Sequence, residues 1–322
     1  MAKKSKRNSG PRPGSNRAER VAARKARQAA SLAPPVRPFQ ALPAAECDLV
    51  ALRAFVASAT AQISFADGFQ APNELDFATI LPGAGAALVR SRDAAAWGER
   101  GAAAGVDGKV TQGLVALQTD PEPTDLAASV AAALHWAARA EPGSEYRVGS
   151  DSAPGLADIV DPTKPLDVVV YKDFSWWFAD DVDVTPQIRA MLERAESTIM
   201  PTARLTPKSG VGAPWWVDAG DRAHLRWVRP EDEDTLMKAM ARLHAAGHLT
   251  MGEGSRFAGS FRTHGLVVPV FDLDNDMHHE EWYDGLEQLD EWFAEALADD
   301  SDLTAAERSS RAGILGRQVT LR

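Results

Sequence analysis

The segment "FDLDNDMHHEEW" holds the densest set of residues that could bind a metal ion. Three aspartates alternate along it, followed by two histidines and two glutamates: Asp272, Asp274, Asp276, His278, His279, Glu280 and Glu281. Hard cations prefer oxygen ligands at this density. A calcium loop that began at Asp272 would need glycine and glutamate where Met277 and Tyr283 stand, so the segment does not match that motif.

Two interpretations of this segment are open. In the first, the three aspartates bind a metal ion in a metal-dependent enzyme. In the second, a strand ends in polar residues, and Asn275 or Asp276 caps the next helix. Glu280 and Glu281 then lie near the positive N-terminus of that helix, which stabilises their charges. We expect no cofactor, and we assign no catalytic residue.

Other isolated residues with reactive side chains favour structural roles. His244 and His248 have the i, i+4 spacing of a metal pair, but Gly247 at the helix end turns His248 away. Cys47 is the only cysteine and stands between Glu46 and Asp48. Negative neighbours raise a thiol pKa, so we expect a buried, unreactive cysteine.

Tryptophans occur in two adjacent pairs, Trp176 with Trp177 and Trp215 with Trp216. If each pair lies on a strand, neighbouring rings point to opposite faces. Either one ring of each pair is exposed and serves a protein-protein adaptor, or both rings pack in the core. Trp97 lies in a segment rich in glycine, alanine and charge, which we interpret as a surface excursion.

The chain begins with a strongly basic segment, residues 1–37, which we call the basic arm. It holds eleven basic residues and one acidic residue and so carries +10, whereas the whole chain carries −10 and the remainder −20. Such asymmetry predicts a disordered arm that binds RNA, a ribosome or another polyanion. The candidate nucleic-acid-binding residues are Lys3, Lys4, Lys6, Arg7, Arg12, Arg17, Arg20, Arg24, Lys25 and Arg27.

The basic start does not continue as a secretion signal, because no apolar region follows it before Pro34 and Pro35. A single cysteine excludes an intramolecular disulfide and is compatible with a reducing compartment. We therefore expect a cytoplasmic protein without a membrane segment.

Helical and alternating apolar patterns predict an α+β fold, with two mixed domains whose mainly antiparallel sheets are flanked by helices. We divide the chain into the disordered arm with a proline-rich linker (1–43), an N-terminal domain (44–150), a C-terminal domain (151–300) and a C-terminal tail (301–322). In the second domain, Thr185 and Pro186 begin a helix, Gly247 ends another, and a hairpin turns at His264 and Gly265. Pro269 places the second hairpin strand at a sheet edge or a bulge.

Four segments carry a resemblance to a known family: "AECDLVALRAFVASATA", "FATILPGAGAALVR", "GLVALQ" and "GSFRTHGLVVPVFDL". They resemble the actinobacterial family catalogued as domain of unknown function 5926. The resemblance covers Ala44 to about Leu297. Its segments form a core rather than a catalytic motif, so the resemblance implies a family but no chemistry. The leading interpretation is a non-catalytic accessory protein.

Overall fold

The structure is a computed structural model that describes residues 36–93, 108–146, 153–178, 185–197 and 199–320. Residues 37–322 form one compact unit. The ten candidate nucleic-acid-binding residues of the basic arm and Trp97 lie outside the described residues.

The first sheet has six strands in the order β5-β3-β4-β2-β1-β6. Neighbouring strands are antiparallel except for β2 and β4, which are parallel. The strands are β1 (Ala59–Gln62), β2 (Glu74–Ile80), β3 (Ala87–Asp93), β4 (Lys109–Gln118), β5 (Glu145–Tyr146) and β6 (Asp167–Val170). The helices of this part are α1 (Glu46–Ala54), α2 (Leu126–Ala137), α3 (Leu156–Ile159) and α4 (Pro186–Glu196), with 3₁₀ turns at Pro82–Ala84 and Ser175–Trp177.

The second sheet also has six strands, in the order β12-β10-β11-β9-β8-β7, and β12 pairs in parallel with β10. The strands are β7 (Thr202–Arg204), β8 (Ala213–Asp218), β9 (Ala223–Val228), β10 (Ser255–Thr263), β11 (Leu266–Leu273) and β12 (Gln318–Thr320). The helices are α5 (Glu233–Ala246), α6 (Tyr283–Ala298) and α7 (Ala305–Leu315), with a 3₁₀ turn at His279–Trp282.

One apolar core joins the two sheets. It contains buried residues of α1, α2 and the first sheet together with Trp215, Val228, Leu266 and Val268 of the second sheet. A second core lies on the opposite face of the second sheet, under α5, α6 and α7. A third lies on the opposite face of the first sheet, where the turn Ser175–Trp177 packs.

The predicted α+β class is confirmed: the part of the chain that the structure describes has seven helices and two mostly antiparallel sheets. The local predictions for helix ends are also confirmed. The Thr185 side chain accepts a hydrogen bond from the Ile188 amide, and Gly247 ends α5 with φ +75°, a left-handed conformation that suits glycine. The division of the chain near residue 150 stays a prediction, and β6, which follows it, pairs with β1 of the first sheet.

Two features differ at least in part from the sequence-based expectation. Pro269 lies in β11, which is an inner strand and not an edge. The pairing of β10 with β11 shifts register between Phe257 and Gly259, next to this proline, as the alternative of a bulge predicts. The regular pairing of β11 with β9 begins only beyond it, at Val270. A proline has no amide hydrogen to donate there. The segment that the sequence assigns to a C-terminal tail, residues 301–322, contains α7 and β12, and Ile314 is buried in the second core.

Arg229 is a buried cation at the end of β9. Its side chain is 1% exposed and makes two hydrogen bonds to the Glu231 carboxylate, at 3.0 Å and 2.5 Å. The guanidinium carbon lies 4.6 Å from the Trp227 ring centre and 4.8 Å from that of Phe293, and Asp290 lies 3.9 Å from Nη1. The charge is thus neutralised and stacked between two rings, which joins β9 to α6.

Replacing Arg229 with alanine leaves Glu231 and Asp290 without a cation in a dry environment. We expect the free energy of unfolding to fall by about 3 to 5 kcal/mol. Chemical denaturation measures this loss. Arg222→Ala is the matched control, because Arg222 pairs with Asp272 but is 56% exposed, and its loss should cost less than about 1 kcal/mol. Equal losses in the two variants would contradict this role of Arg229.

Candidate functional site

Helix α1 lies between the two sheets and positions the candidate sites. It contacts β2 and β4 of the first sheet and β8 and β9 of the second. Its central residues, 49–52, are buried and apolar, whereas its charged residues lie near its two ends. A pocket opens at each end, so the residues of one short helix line both.

The pocket at the N-terminal end of α1 has a volume of about 750 Å³. Asp48 Oδ1 accepts a hydrogen bond of 2.7 Å from Arg204 Nε, and Arg204 also donates to the carbonyl oxygen of Gly212 at 3.0 Å. Burial, followed by the charges of Asp48 and Glu46, raises the pKa of the Cys47 thiol to about 12. The predicted burial of Cys47 is confirmed, and the raised pKa is in line with the unreactive thiol expected from the sequence.

Glu46 pairs with Arg37, the last residue of the basic segment. Its carboxylate accepts two hydrogen bonds from Arg37, at 2.9 Å and 2.5 Å. Arg37 therefore belongs to the folded body, residues 37–322. From here the basic arm means residues 1–36, which carry +9.

The pocket at the C-terminal end of α1, which we call the hairpin-tip pocket, has a volume of about 460 Å³. It is lined by Arg53, Ala54, Gln118, Thr119, Glu122, Thr263 and His264. The Arg53 side chain is only 8% exposed and donates to three groups: the Leu117 carbonyl oxygen, Glu122 Oε1 and His264 Nε2, the last at 2.8 Å. Glu122 is 70% exposed, so a buried guanidinium meets a carboxylate at the protein surface.

His264 occupies the first position of the two-residue turn between β10 and β11. Its φ is +48° and that of Gly265 is +79°, as a primed hairpin turn requires. A left-handed conformation is unusual for histidine and is found where the surrounding contacts enforce it. Here those contacts are the hydrogen bonds with Arg53 and with Thr263, whose hydroxyl lies 2.8 Å from Nδ1.

The hydrogen bonds assign the protonation state of His264. Because Nε2 accepts from Arg53, the neutral ring carries its proton on Nδ1 and donates it to Thr263 Oγ1. Burial, and then the charge of Arg53, lowers the pKa of His264 to about 4, although Glu122 opposes the shift. Both ring nitrogens are engaged, so the ring lacks the free lone pair of a general base. The pocket therefore offers groups for binding.

In the aspartate segment, Asp272 pairs with arginine side chains, unlike a carboxylate that is free to bind a metal ion. Asp272 Oδ2 accepts hydrogen bonds from Arg256 at 2.6 Å and Arg222 at 3.0 Å, and His224 Nδ1 lies 3.2 Å from Oδ1. Burial raises the pKa of Asp272, but the Arg256 hydrogen bond and the electrostatic contributions of His224, Arg256 and Arg222 outweigh it, so the pKa lies below its ordinary value.

The Asp274 carboxylate forms a local hydrogen bond: its Oδ1 accepts from the backbone amide of Asp276 at 3.0 Å. Among the described residues, no three His, Cys, Asp or Glu side chains gather as ligands, and a metal ion here stays a prediction. The cap of the next helical turn is His278 rather than Asn275 or Asp276, because the turn begins only at His279.

The two tryptophan pairs pack in the core, and the interpretation that one ring of each is exposed is wrong. Trp176 and Trp177 are 5% and 8% exposed, in a 3₁₀ turn rather than a strand. Trp215 and Trp216 are 0% and 9% exposed on β8. They do point to opposite faces, but both faces of the second sheet are covered, one by the shared core and one by the second core.

His244 of α5 and His248, just beyond its end, contact different groups. His244 Nδ1 lies 3.0 Å from the Ser310 hydroxyl of α7, and the His248 ring stacks on Trp292 at 4.3 Å between ring centres. The left-handed Gly247 separates them, as the sequence predicts.

The fold and these pockets define an α+β protein with two six-stranded sheets and one helix buried between them. The chain belongs to a family of unknown function, DUF5926, whose sequence model matches residues 38–322. No curated protein matches the chain, and no solved structure matches it. Within the described residues, no helix combines the length and apolar content needed to cross a bilayer.

Sequence reasoning did not find the cluster of Arg53, Glu122 and His264. Arg53 and His264 are 211 positions apart, and no short motif contains them. The available signal was a histidine, where asparagine or glycine is typical, in a two-residue hairpin turn.

The lowered pKa of His264 predicts a pH-dependent stability. The folded chain keeps the ring neutral down to about pH 4, whereas the unfolded chain takes up a proton near pH 6.5. The unfolded state therefore gains stability as the pH falls through this window, and the free energy of unfolding decreases. One pKa unit is worth about 1.4 kcal/mol, and solvent screening reduces the expected loss to about 1 to 2 kcal/mol.

His264→Asn isolates this contribution, because asparagine suits the left-handed turn but does not titrate. Denaturant unfolding of both proteins at pH 7.5 and pH 4.5 measures it. The free energy of unfolding of wild type, relative to that of the variant, should be lower at pH 4.5 than at pH 7.5. A difference that is the same at both pH values would show that His264 is not held neutral in the folded chain.

Proposed function

We propose that this protein is a cytoplasmic, non-catalytic accessory protein whose basic arm binds an RNA, a ribosome or another polyanion. The charge distribution carries the proposal. The arm, residues 1–36, has ten basic residues against one acidic residue, while the rest of the chain is strongly acidic. Cations spread along a segment neutralise phosphates without reading a base sequence.

The ion pairs of the folded body support this location for the contact. Several of its cations already pair with carboxylates, which weakens their attraction for an external phosphate. Asp272 binds Arg222 and Arg256, and Asp234 binds Lys238 and Arg311. Arg37, at the border of the arm, is bound by Glu46. The net negative body would also repel a polyanion at longer range.

The experiment uses the full-length chain with its ten arm cations changed to glutamine, compared with wild type in binding fluorescent poly-uridine RNA. We expect wild type to bind with a steep salt dependence, with a slope of roughly −4 in log K against log salt if six phosphates are neutralised. The neutralised arm should abolish this slope at low ionic strength.

Two controls separate charge from sequence and from the body. A full-length chain with residues 2–36 shuffled keeps the same charge and should bind like wild type, because this contact is independent of sequence. Lys208→Gln with Arg256→Gln removes two body cations that are 85% and 72% exposed and should leave the slope unchanged. Equal binding by wild type and the neutralised arm would overturn the proposal.

A further inference from the structure

Arg53 presents unused hydrogen-bond donors to the hairpin-tip pocket. A guanidinium has five N–H donors, and three of its hydrogen bonds go to Leu117, Glu122 and His264. The remaining donors lie on the two terminal nitrogens, which form the planar fork that pairs with a carboxylate. Because the side chain is 8% exposed, its charge is only weakly screened by water.

Glu122 differs from the other partners of Arg53, because it is the only one of the three that lies mostly in solvent, at 70% exposure. The Glu122 carboxylate regains its full hydration when it leaves Arg53, and a second carboxylate that takes its place exchanges one ion pair for another. An external carboxylate could therefore replace Glu122 on Arg53 while the bonds to Leu117 and His264 hold the guanidinium in place.

We propose that the hairpin-tip pocket binds a small ligand through a single carboxylate group, which displaces Glu122 from Arg53. The volume of about 460 Å³ is that of a ligand pocket rather than of an ion site. Thr119, Thr263 and Gln118 line it and supply polar atoms for the rest of the ligand. A monocarboxylate matches the single cation, whereas a phosphate dianion would leave one charge unmatched in an acidic body.

The proposal is independent of the basic arm and goes beyond polyanion binding. The carboxylate could belong to a free organic acid or to the end of a peptide, and two probes distinguish these sources. Propionate represents the first and N-acetylglycine the second, while propionamide and N-acetylglycinamide are their uncharged counterparts. The measurement follows the ¹⁵N resonance of Arg53 Nε in the full-length chain during titration with each probe.

We expect saturable shifts of that resonance with one or both acids and none with the amides. Glu122→Gln removes the internal competitor and should tighten binding of the acid by about two- to five-fold. Arg53→Lys lacks the planar fork and should weaken binding by about ten-fold or more. Glu280→Gln is the matched control, since Glu280 is 73% exposed and does not line the pocket, and it should leave affinity unchanged.

Several results would overturn the proposal. They are equal binding of acid and amide, tighter binding of inorganic phosphate than of either acid, or an unchanged affinity in Glu122→Gln. No saturable shift with any probe would show that the Arg53 cluster is purely structural. If Arg53→Lys does not fold, the comparison of acid with amide in wild type and in Glu122→Gln still decides the question.

Discussion

The burial of α1 between the two sheets is the constraint on which the rest of the structure depends. A helix that is apolar at its centre and charged at its ends fits this place only if each charge finds a partner, because an unpaired charge there is costly. Glu46, Asp48 and Arg53 each pair with a different part of the chain. These pairs bring the linker, β7 and the segment after β4 to the same helix, and the hydrogen bond from Arg53 to His264 adds the β10–β11 hairpin. The two pockets are the spaces between these segments.

Charge serves opposite purposes in the two parts of the chain. In the folded body, cations pair with groups of the same chain. Arg229 is enclosed by two aromatic rings and Glu231. Arg204 donates hydrogen bonds to Asp48 and to the carbonyl oxygen of Gly212. In the basic arm, cations outnumber acids ten to one, so there is little internal acid for them to pair with. This separation is why we assign contact with a polyanion to the arm and a small carboxylate to the buried Arg53.

Local chemistry was predictable from the sequence, and long-range chemistry was not. Alternating apolar residues predicted the main strands, Thr185 and Gly247 marked helix ends, and the hairpin turn at His264 was found, because each signal lies within a few residues. The cluster of Arg53 with His264 depends on the packing of distant segments, which no spacing encodes. The sequence left open whether Pro269 lies at a sheet edge or beside a bulge, and the tertiary packing decides for an irregularity in an inner strand.

The most direct test of the central claim is a map of the residues that contact RNA. Ultraviolet cross-linking of the full-length chain to poly-uridine RNA, followed by mass spectrometry of the peptides, gives this map. The account predicts cross-links within residues 1–36 and a disappearance of all of them as salt is raised. Cross-links that concentrate on the folded body, at residues 37–322, and persist when the arm is neutralised would contradict it.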